Sequence, residues 1–465
     1  MTRENAISHA EKMFDDGSFF NLLNRRVAHT TESQNEERTD ELRDYLTGEM
    51  GPYLEGMGFT YEVLENPVVS RLPFLIGQRI EADDAPTLLT YGHGDTVLAM
   101  TERWQDGLNP WRLTMKGERW YGRGAADNKG QHSINLAALD CVLHERGRLG
   151  FNAKVLIEMG EEMGSPGLRE ICNREKKMLS ADVLIASDGP RIDPQKPTIF
   201  GGSRGVFNFD LSLTLREGGH HSGNWGGLLA NPGVILAHAI ASMIDTHGRV
   251  LVDGLTPEKI PDSVRKALAE LEVTGRKGPE IDPEWGEPGL SPAEKVYGWN
   301  TLEVLAFECG DPAAPAHAIP AGAWARCHIR YVADTDPEKF HAAVQKHLAA
   351  HGFDRVKVTP VKRSLFKATR MDPEDPWVKW VVSSVECSTN QRPAFLPNIG
   401  GSLPNDIFQT VLGLPTIWIP HSYGGCSQHA PNEHLLSPLA KDGLRMMAGI
   451  FWDLAENSPA GTVDE

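Results

Sequence analysis

Two adjacent carboxylates, Glu161 and Glu162, stand at the exit of a short apolar run, Lys154-Val155-Leu156-Ile157, and are bracketed by Gly160 and Gly164. The run is short and β-branched, which predicts a buried strand, and the glycines allow the chain to turn at its end. Two free carboxylates side by side repel, a cost relieved by a cation, a proton or solvent. A divalent cation would give each a separate task. One would ligate, and the other would take a proton from a water that the cation acidifies. Taken alone the pair is read more simply as a solvated acidic turn, so the other parts of a metal site have to be sought elsewhere.

Four further residues qualify. His93 lies in Gly92-His93-Gly94-Asp95-Thr96, directly after a predicted strand at 87–91. Asp95 is placed to accept the second ring N–H and set the tautomer. Asp127 lies in Gly122-Arg123-Gly124-Ala125-Ala126-Asp127-Asn128-Lys129-Gly130, ahead of a predicted helix carrying Ile134, Leu136, Ala137, Cys141 and Val142. A carboxylate there is favoured by the helix dipole and is also an ordinary cap. Asp188 follows a buried strand at 181–187, within a turn signal, Asp188-Gly189-Pro190. His429 follows the last strand, at 416–419, in Gln428-His429-Ala430-Pro431-Asn432-Glu433. The letters of Gly201-Gly202-Ser203-Arg204-Gly205 match a serine-nucleophile elbow, but an alternating strand follows where that motif needs a helix, so an inter-domain turn is expected.

Each motif is weak alone, but their position in the fold is shared. Candidates that follow strands alternating with helices imply an α/β sheet, in which ligands bind beyond the carboxyl ends of the strands. Two His, two Asp and a Glu form a nitrogen–oxygen donor set suited to zinc, with manganese or cobalt as alternatives. The texture changes near residue 201. Strands at 206–215, 302–307, 323–332 and 356–361, with helices at 232–245 and 337–350, follow the order β-α-β-β-α-β of a ferredoxin-like sandwich. The segment 250–300, rich in Pro, Gly and charge, is read as an insertion in it. The expected organisation is a mixed-sheet α/β catalytic domain with helices on both faces, built from 1–200 and 373–465, with an inserted ferredoxin-like α+β domain at 201–372.

Composition narrows the function. The 465 residues carry a net charge of −17, which disfavours general nucleic-acid or anionic-membrane binding. No apolar run approaches the ~18 residues of a membrane span. The polar start, Met1-Thr2-Arg3-Glu4-Asn5-Ala6, lacks the apolar core of a signal peptide. The six cysteines are scattered without a Cys-x-x-Cys pair, which suits a reducing cytoplasm and disfavours a thiolate zinc site.

Together these motifs, with His221-Ser222-Gly223 and Gly226-Gly227, resemble the co-catalytic metallopeptidase family of aminoacylase, carboxypeptidase G, carnosinase-type dipeptidases and succinyl-diaminopimelate desuccinylase. The resemblance spans nearly the whole chain and is nearest to the dipeptidase branch. It implies two metal ions bridged by Asp127. His93 and Asp188 would complete one site, Glu162 and His429 the other. Asp95 would orient His93, Glu161 would be the general base, and the Asp127–Asn128 peptide would be cis. The inserted domain would act as lid and dimerisation domain. Its His221 would steady the oxyanion, although the neighbouring His220 leaves the choice between them open. Arg330 would hold a substrate carboxylate, with Arg326 on the same strand face as a substitute and backbone N–H groups of the Gly400-Gly401-Ser402 loop as further donors. The implied activity is hydrolysis of a dipeptide with a free carboxylate. A deacylase or desuccinylase of N-acyl amino acids, a carbamoyl-amide hydrolase and a non-catalytic binding protein on the same fold are the alternatives.

Overall fold

His93, the Glu161–Glu162 pair, Asp188 and the segment bearing His429 all leave one side of a single sheet. The computed structural model describes residues 1–273, 279–361 and 366–460. These form two compact units: Met1–Gly202 with Met371–Pro397 and Pro404–Glu465, and Ser203–Arg370 with Asn398–Leu403.

The first unit contains an eight-stranded mixed sheet. Its spatial order is Thr60–Leu64, Phe74–Arg79, Asn152–Glu158, Thr87–His93, Val183–Ala186, Thr416–Trp418, Thr198–Phe200 and Ala394–Leu396. The four central strands, 152–158, 87–93, 183–186 and 416–418, run parallel. Their carboxyl ends therefore lie together, and the candidate residues follow those ends. Both faces are covered, so the strands are apolar on both sides. Val155, Ile157, Val183, Ile185 and Ile417 pack with helices Arg3–Asp15, Lys129–Arg146, Pro376–Thr389 and Ser437–Asn457. On the other face Tyr91 meets Phe408 edge-on and Trp418 meets it at a tilt.

The helix Lys129–Arg146 starts two residues after Asp127, and most of its first three turns are buried. Its first turn lies close under the 124–127 loop. A Cβ added at Gly130 would sit 1.9 Å from the carbonyl oxygen of Ala125. Glycine is thus required for this close backbone approach.

The second unit has the antiparallel order Thr301–Glu308, Gly322–Tyr331, Gly205–Thr214, Lys357–Pro360. Helices Pro232–Met243 and Phe340–Ala350 share a core with Phe209, Leu211, Ala325, Cys327 and Ile329. This is the β-α-β-β-α-β sandwich expected from the strand and helix order. The strand Gly205–Thr214 alternates buried and half-buried residues, so one sheet face meets the helices and the other carries polar side chains. The expected 250–300 insertion holds a helix, Asp262–Ala269, and a small core of Ile260, Val264, Leu268 and Ala293; 274–278 lie outside the described residues. Asn398–Leu403, expected in the closing segment 373–465, groups with the second unit. The reason is local: Ser203 bridges to Ile399, and the Arg204 N–H donates to the carbonyls of Ile399 and Gly401.

A Gly130→Ala substitution collides with backbone, which relaxes poorly. It should cost about 1–3 kcal/mol or more, read as a lower Tm together with weaker divalent-metal binding.

Candidate metal centre

His93 is the last residue of its strand, and the backbone holds it there on both sides. The Gly94 N–H donates to the Glu158 carbonyl at 2.9 Å, and the Thr31 hydroxyl donates to the Gly94 carbonyl at 2.6 Å. The ring Nδ1 lies 3.1 Å from the Asp95 backbone oxygen and 3.4 Å from its carboxylate. The backbone carbonyl is the nearer, and the Asp95 carboxylate faces the same ring nitrogen and helps raise the His93 pKa. The Asp95 carboxylate also accepts from the N–H groups of Glu161 at 3.1 Å and Glu162 at 3.2 Å. One residue thereby links the His93 turn to the turn bearing the paired glutamates.

Asp127 is positioned by two networks that the motifs alone did not assign. The buried Glu433 carboxylate accepts from Arg123 Nη1 at 2.8 Å and from the N–H groups of Gly124, Ala126 and Asp127 at 2.9–3.0 Å. Asn128, joined to Asp127 by a cis peptide, donates to the Ser187 carbonyl at 2.8 Å. Its side-chain oxygen accepts from His132 Nδ1 at 3.1 Å, and Tyr45 completes the chain at His132 Nε2, 2.7 Å away. Burial pushes the His132 pKa well down, so its ring is neutral and can accept from the tyrosine. The two sequence signals for Glu433 were its place in the His429 motif and the presence of an arginine, Arg123, in the Gly-rich run that it would have to anchor.

The expected ligands converge on Asp127. Its Oδ1 lies 3.1 Å from His93 Nε2, and its Oδ2 lies 2.9 Å from His429 Nε2. Asp188 Oδ2 is 3.8 Å from His93 Nε2, and Glu162 Oε2 is 3.0 Å from His429 Nε2. Two sets result, His93–Asp127–Asp188 and Asp127–Glu162–His429, each with its ligand atoms within 4.8 Å of one another. They share only Asp127, through different oxygens. Glu161 belongs to neither set, and its Oε2 lies 3.9 Å from His93 Nε2.

The electrostatics fit a cationic occupant. Burial, foremost, raises Glu161 well above the usual carboxylate range, and the neighbouring carboxylates add to it. Burial likewise moves Glu162 to about 7 and Asp188 to about 6. Asp127 is the exception. Hydrogen bonds from His429 and His93 outweigh its burial and hold it well below the usual range. Bonds to Asp127 and Glu162 raise His429 to about 11, and His93 is raised well above its ordinary value against its own burial. Such opposed shifts among clustered groups mark functional sites. The donor set is nitrogen and oxygen only, and it suits two divalent cations joined by one carboxylate.

The other expected site residues belong to the second unit. His220 and His221 form a two-residue strand paired with Ala318–Ile319. The His220 ring meets Trp225 edge-on, while His221 is exposed. Arg330 Nη1 donates to the Ser402 hydroxyl at 2.8 Å. That hydroxyl donates to the Arg204 carbonyl at 2.7 Å, so its proton is already used. Arg326 does not stand in for Arg330, because Asp210 engages it at 2.6 and 3.0 Å.

An α/β sheet with two donor sets sharing one aspartate at its strand ends defines a candidate two-metal centre. The model of Peptidase family M20/M25/M40 matches residues 89–453, and the chain belongs to this family. It is 26% identical over 415 residues to a cysteinylglycine-S-conjugate dipeptidase of Corynebacterium striatum, covering 87% of this chain and 86% of that one. It is also 26% identical over 407 residues to the Beta-Ala-His dipeptidase of Mus musculus, covering 83% and 80%. Among solved structures, the M20 family metallo-carboxypeptidase Sso-CP2 from Sulfolobus solfataricus superposes with a TM-score of 0.77 at 24% identity, covering 94% of this chain and 99% of that one. The dipeptidase Dug1p from Saccharomyces cerevisiae superposes with a TM-score of 0.76 at 22% identity, covering 98% and 99%.

Two measurements test the site. His93 and His429 carry protons well above neutral pH, and a cation taking the same lone pairs displaces them. Divalent-metal binding should therefore release protons, seen by calorimetry in buffers of different ionisation enthalpy. Affinity should rise with pH, and fall below about pH 7 as Glu162 and then Asp188 protonate. Glu433→Ala strands the buried Arg123 and three backbone N–H groups. It should destabilise the first unit by about 3–5 kcal/mol, measured by denaturant unfolding.

Proposed function

We propose that the chain is a metal-dependent peptidase that hydrolyses the amide bond of a dipeptide with a free terminal carboxylate. The observation that carries this reading is the pair of donor sets meeting at Asp127, with Glu161 left outside both. His93, Asp127 and Asp188 would hold one divalent cation, and Asp127, Glu162 and His429 the other, with zinc as the first choice for both. When bound, such a pair supplies positive charge that acidifies water and stabilises an oxyanion.

The remaining steps fall to side chains. Glu161 accepts the proton of the attacking water as its oxygen bonds to the amide carbon. It returns that proton to the nitrogen as the carbon–nitrogen bond breaks. A carboxylate raised by burial is suited to hold a proton near neutral pH and give it back. Asp95 sets the Glu161 backbone through its N–H. His221 is assigned to the oxyanion in preference to His220, whose ring is engaged by Trp225. Arg330 is assigned to the substrate carboxylate, a task that suits a planar guanidinium. The relatives' activities on cysteinylglycine conjugates and Beta-Ala-His support a dipeptide in preference to an N-acyl amino acid.

The second unit is also assigned the dimer contact. Its edge strand Thr301–Glu308 exposes Val304, Leu305 and Phe307. An apolar edge left open is an association surface. The six cysteines are unpaired, which supports a reducing compartment such as the cytoplasm.

Chelation should abolish amine release from dipeptides, and zinc, manganese or cobalt should restore it. N-acetyl, N-succinyl and N-carbamoyl amino acids run alongside would expose a deacylase instead. Glu161→Ala should lower kcat by at least about 10²–10⁴-fold, the usual contribution of a general base, with metal content unchanged. Near-normal turnover in that variant would remove Glu161 from the base role. Phe307→Asp should convert a dimer to monomer in sedimentation analysis.

A further inference from the structure

Arg204 stands at the start of the strand Gly205–Thr214, and its backbone organises the segment Asn398–Leu403. Its N–H donates to the Ile399 and Gly401 carbonyls, each at 3.1 Å, and its carbonyl accepts from Ser402. Its guanidinium Nε donates to the Gly400 carbonyl at 3.0 Å. The Nη1 atom is buried and has no hydrogen-bond partner among the described residues. No carboxylate forms an ion pair with Arg204 among the described residues, a costly state for a buried cation.

Arg330 is its neighbour. Strand pairing sets Arg330 opposite Val206, and its Nη1 reaches the same Ser402 hydroxyl that bonds back to Arg204. Burial first, and the charge of Arg330 second, bring the Arg204 pKa down to about 10. Arg330 itself is lowered by burial. Two guanidiniums on one side of the same loop, one of them with a buried N–H to spare, offer donors to an anion.

We propose that Arg204 and Arg330 form one two-cation pocket that binds the substrate's terminal carboxylate, with Arg204 Nη1 as a direct donor. This rests on the peptidase reading above and replaces the single-arginine capture expected from the motifs. Ser402 becomes the post between the two arginines, since its hydroxyl proton is spent on the Arg204 carbonyl. The charge count also sets a substrate class. Glu303, half-buried on the same sheet face opposite His328, is the carboxylate that Arg204 feels. Burial and the two arginine charges lower the pKa of His328, leaving it neutral. Two arginines and one glutamate sum to one positive charge. That complements a single carboxylate, so the pocket favours dipeptides with an uncharged C-terminal residue over those ending in Asp or Glu.

The test reads binding without turnover, in metal-loaded Glu161→Ala protein by calorimetry. The ligands are a dipeptide ending in glycine, its amide, and the matching dipeptide ending in aspartate. The free acid should bind tighter than the amide. Arg204→Gln should cut that preference roughly 10- to 100-fold, the scale of a lost bond to a charged group, and Arg204→Lys should retain part of it. In an Arg330→Gln background, Arg204→Gln should reduce the preference further, because each arginine touches the anion. If Arg204→Gln leaves the acid-to-amide ratio intact, or has no effect once Arg330 is replaced, Arg204 merely holds the loop and the pocket is overturned. Equal or tighter binding of the aspartate-ended dipeptide would overturn the charge count. Turnover by the wild-type enzyme is scored separately. Its absence with this binding pattern intact would sink the peptidase reading and leave the pocket standing.

Discussion

The burial of like charge at the carboxyl ends of four parallel strands is the constraint on which the rest of the first unit depends. Asp95, Asp127, Asp188 and Glu433 are nearly inaccessible, and Glu161 and Glu162 stand beside them. Carboxylates so placed are costly unless each finds donors or a cation. The protein treats them in two ways. Asp95 and Glu433 are supplied with backbone N–H groups, and Arg123 is added at Glu433. Asp127 and Asp188 each take a further donor, the Gln428 amide and the Gly189 N–H, and otherwise Asp127, Glu162 and Asp188 face the two histidines and whatever cation the site holds. With all three and Glu161 ionised, the four negative charges would complement two divalent cations.

This division explains the local architecture. The carboxylates that bind backbone are the ones that set geometry. Asp95 ties the end of the strand Thr87–His93 to the glutamate turn after Asn152–Glu158. Glu433 ties the loop before the helix Lys129–Arg146 to the loop that carries His429. Neutral His132 and Asn128 link that same loop to the end of Val183–Ala186. The candidate ligands therefore stand at strand ends and on loops that are tied to one another, the preorganisation that metal ligation requires.

The second unit presents the opposite sign. One face of its sheet is apolar and buried by two helices, while the other carries Arg326, His328 and Arg330 along one strand. Asp210 neutralises Arg326. Arg330 and the adjoining Arg204 have no such carboxylate partner among the described residues, which marks them off as the pair available to an anion.

Much of this was legible in the chain itself. The buried strands announce themselves as short β-branched runs, and the ligand types stand directly after them, because a parallel sheet delivers its strand ends to one place whatever the intervening helices are. The alternation of 206–213 and the order of elements after it predicted the ferredoxin-like sheet. The glycines around Glu161 and Glu162 marked a turn. What only the tertiary structure decided were contacts between residues far apart in sequence whose side chains have more than one possible partner. Asp95 stands beside the His93 ring, and its carboxylate also takes the N–H groups of residues 66 and 67 positions away. Arg326 and Arg330 share a strand face and look interchangeable until the pairing of Gly205–Thr214 sets Asp210 opposite Arg326. The 400–402 loop reads as a source of backbone donors, and nothing local shows that the Ser402 hydroxyl donates to the Arg204 carbonyl. Periodicity and spacing report which face a residue occupies. Which of several hydrogen-bond partners it takes is settled by packing across the fold, and local sequence carries no trace of that choice.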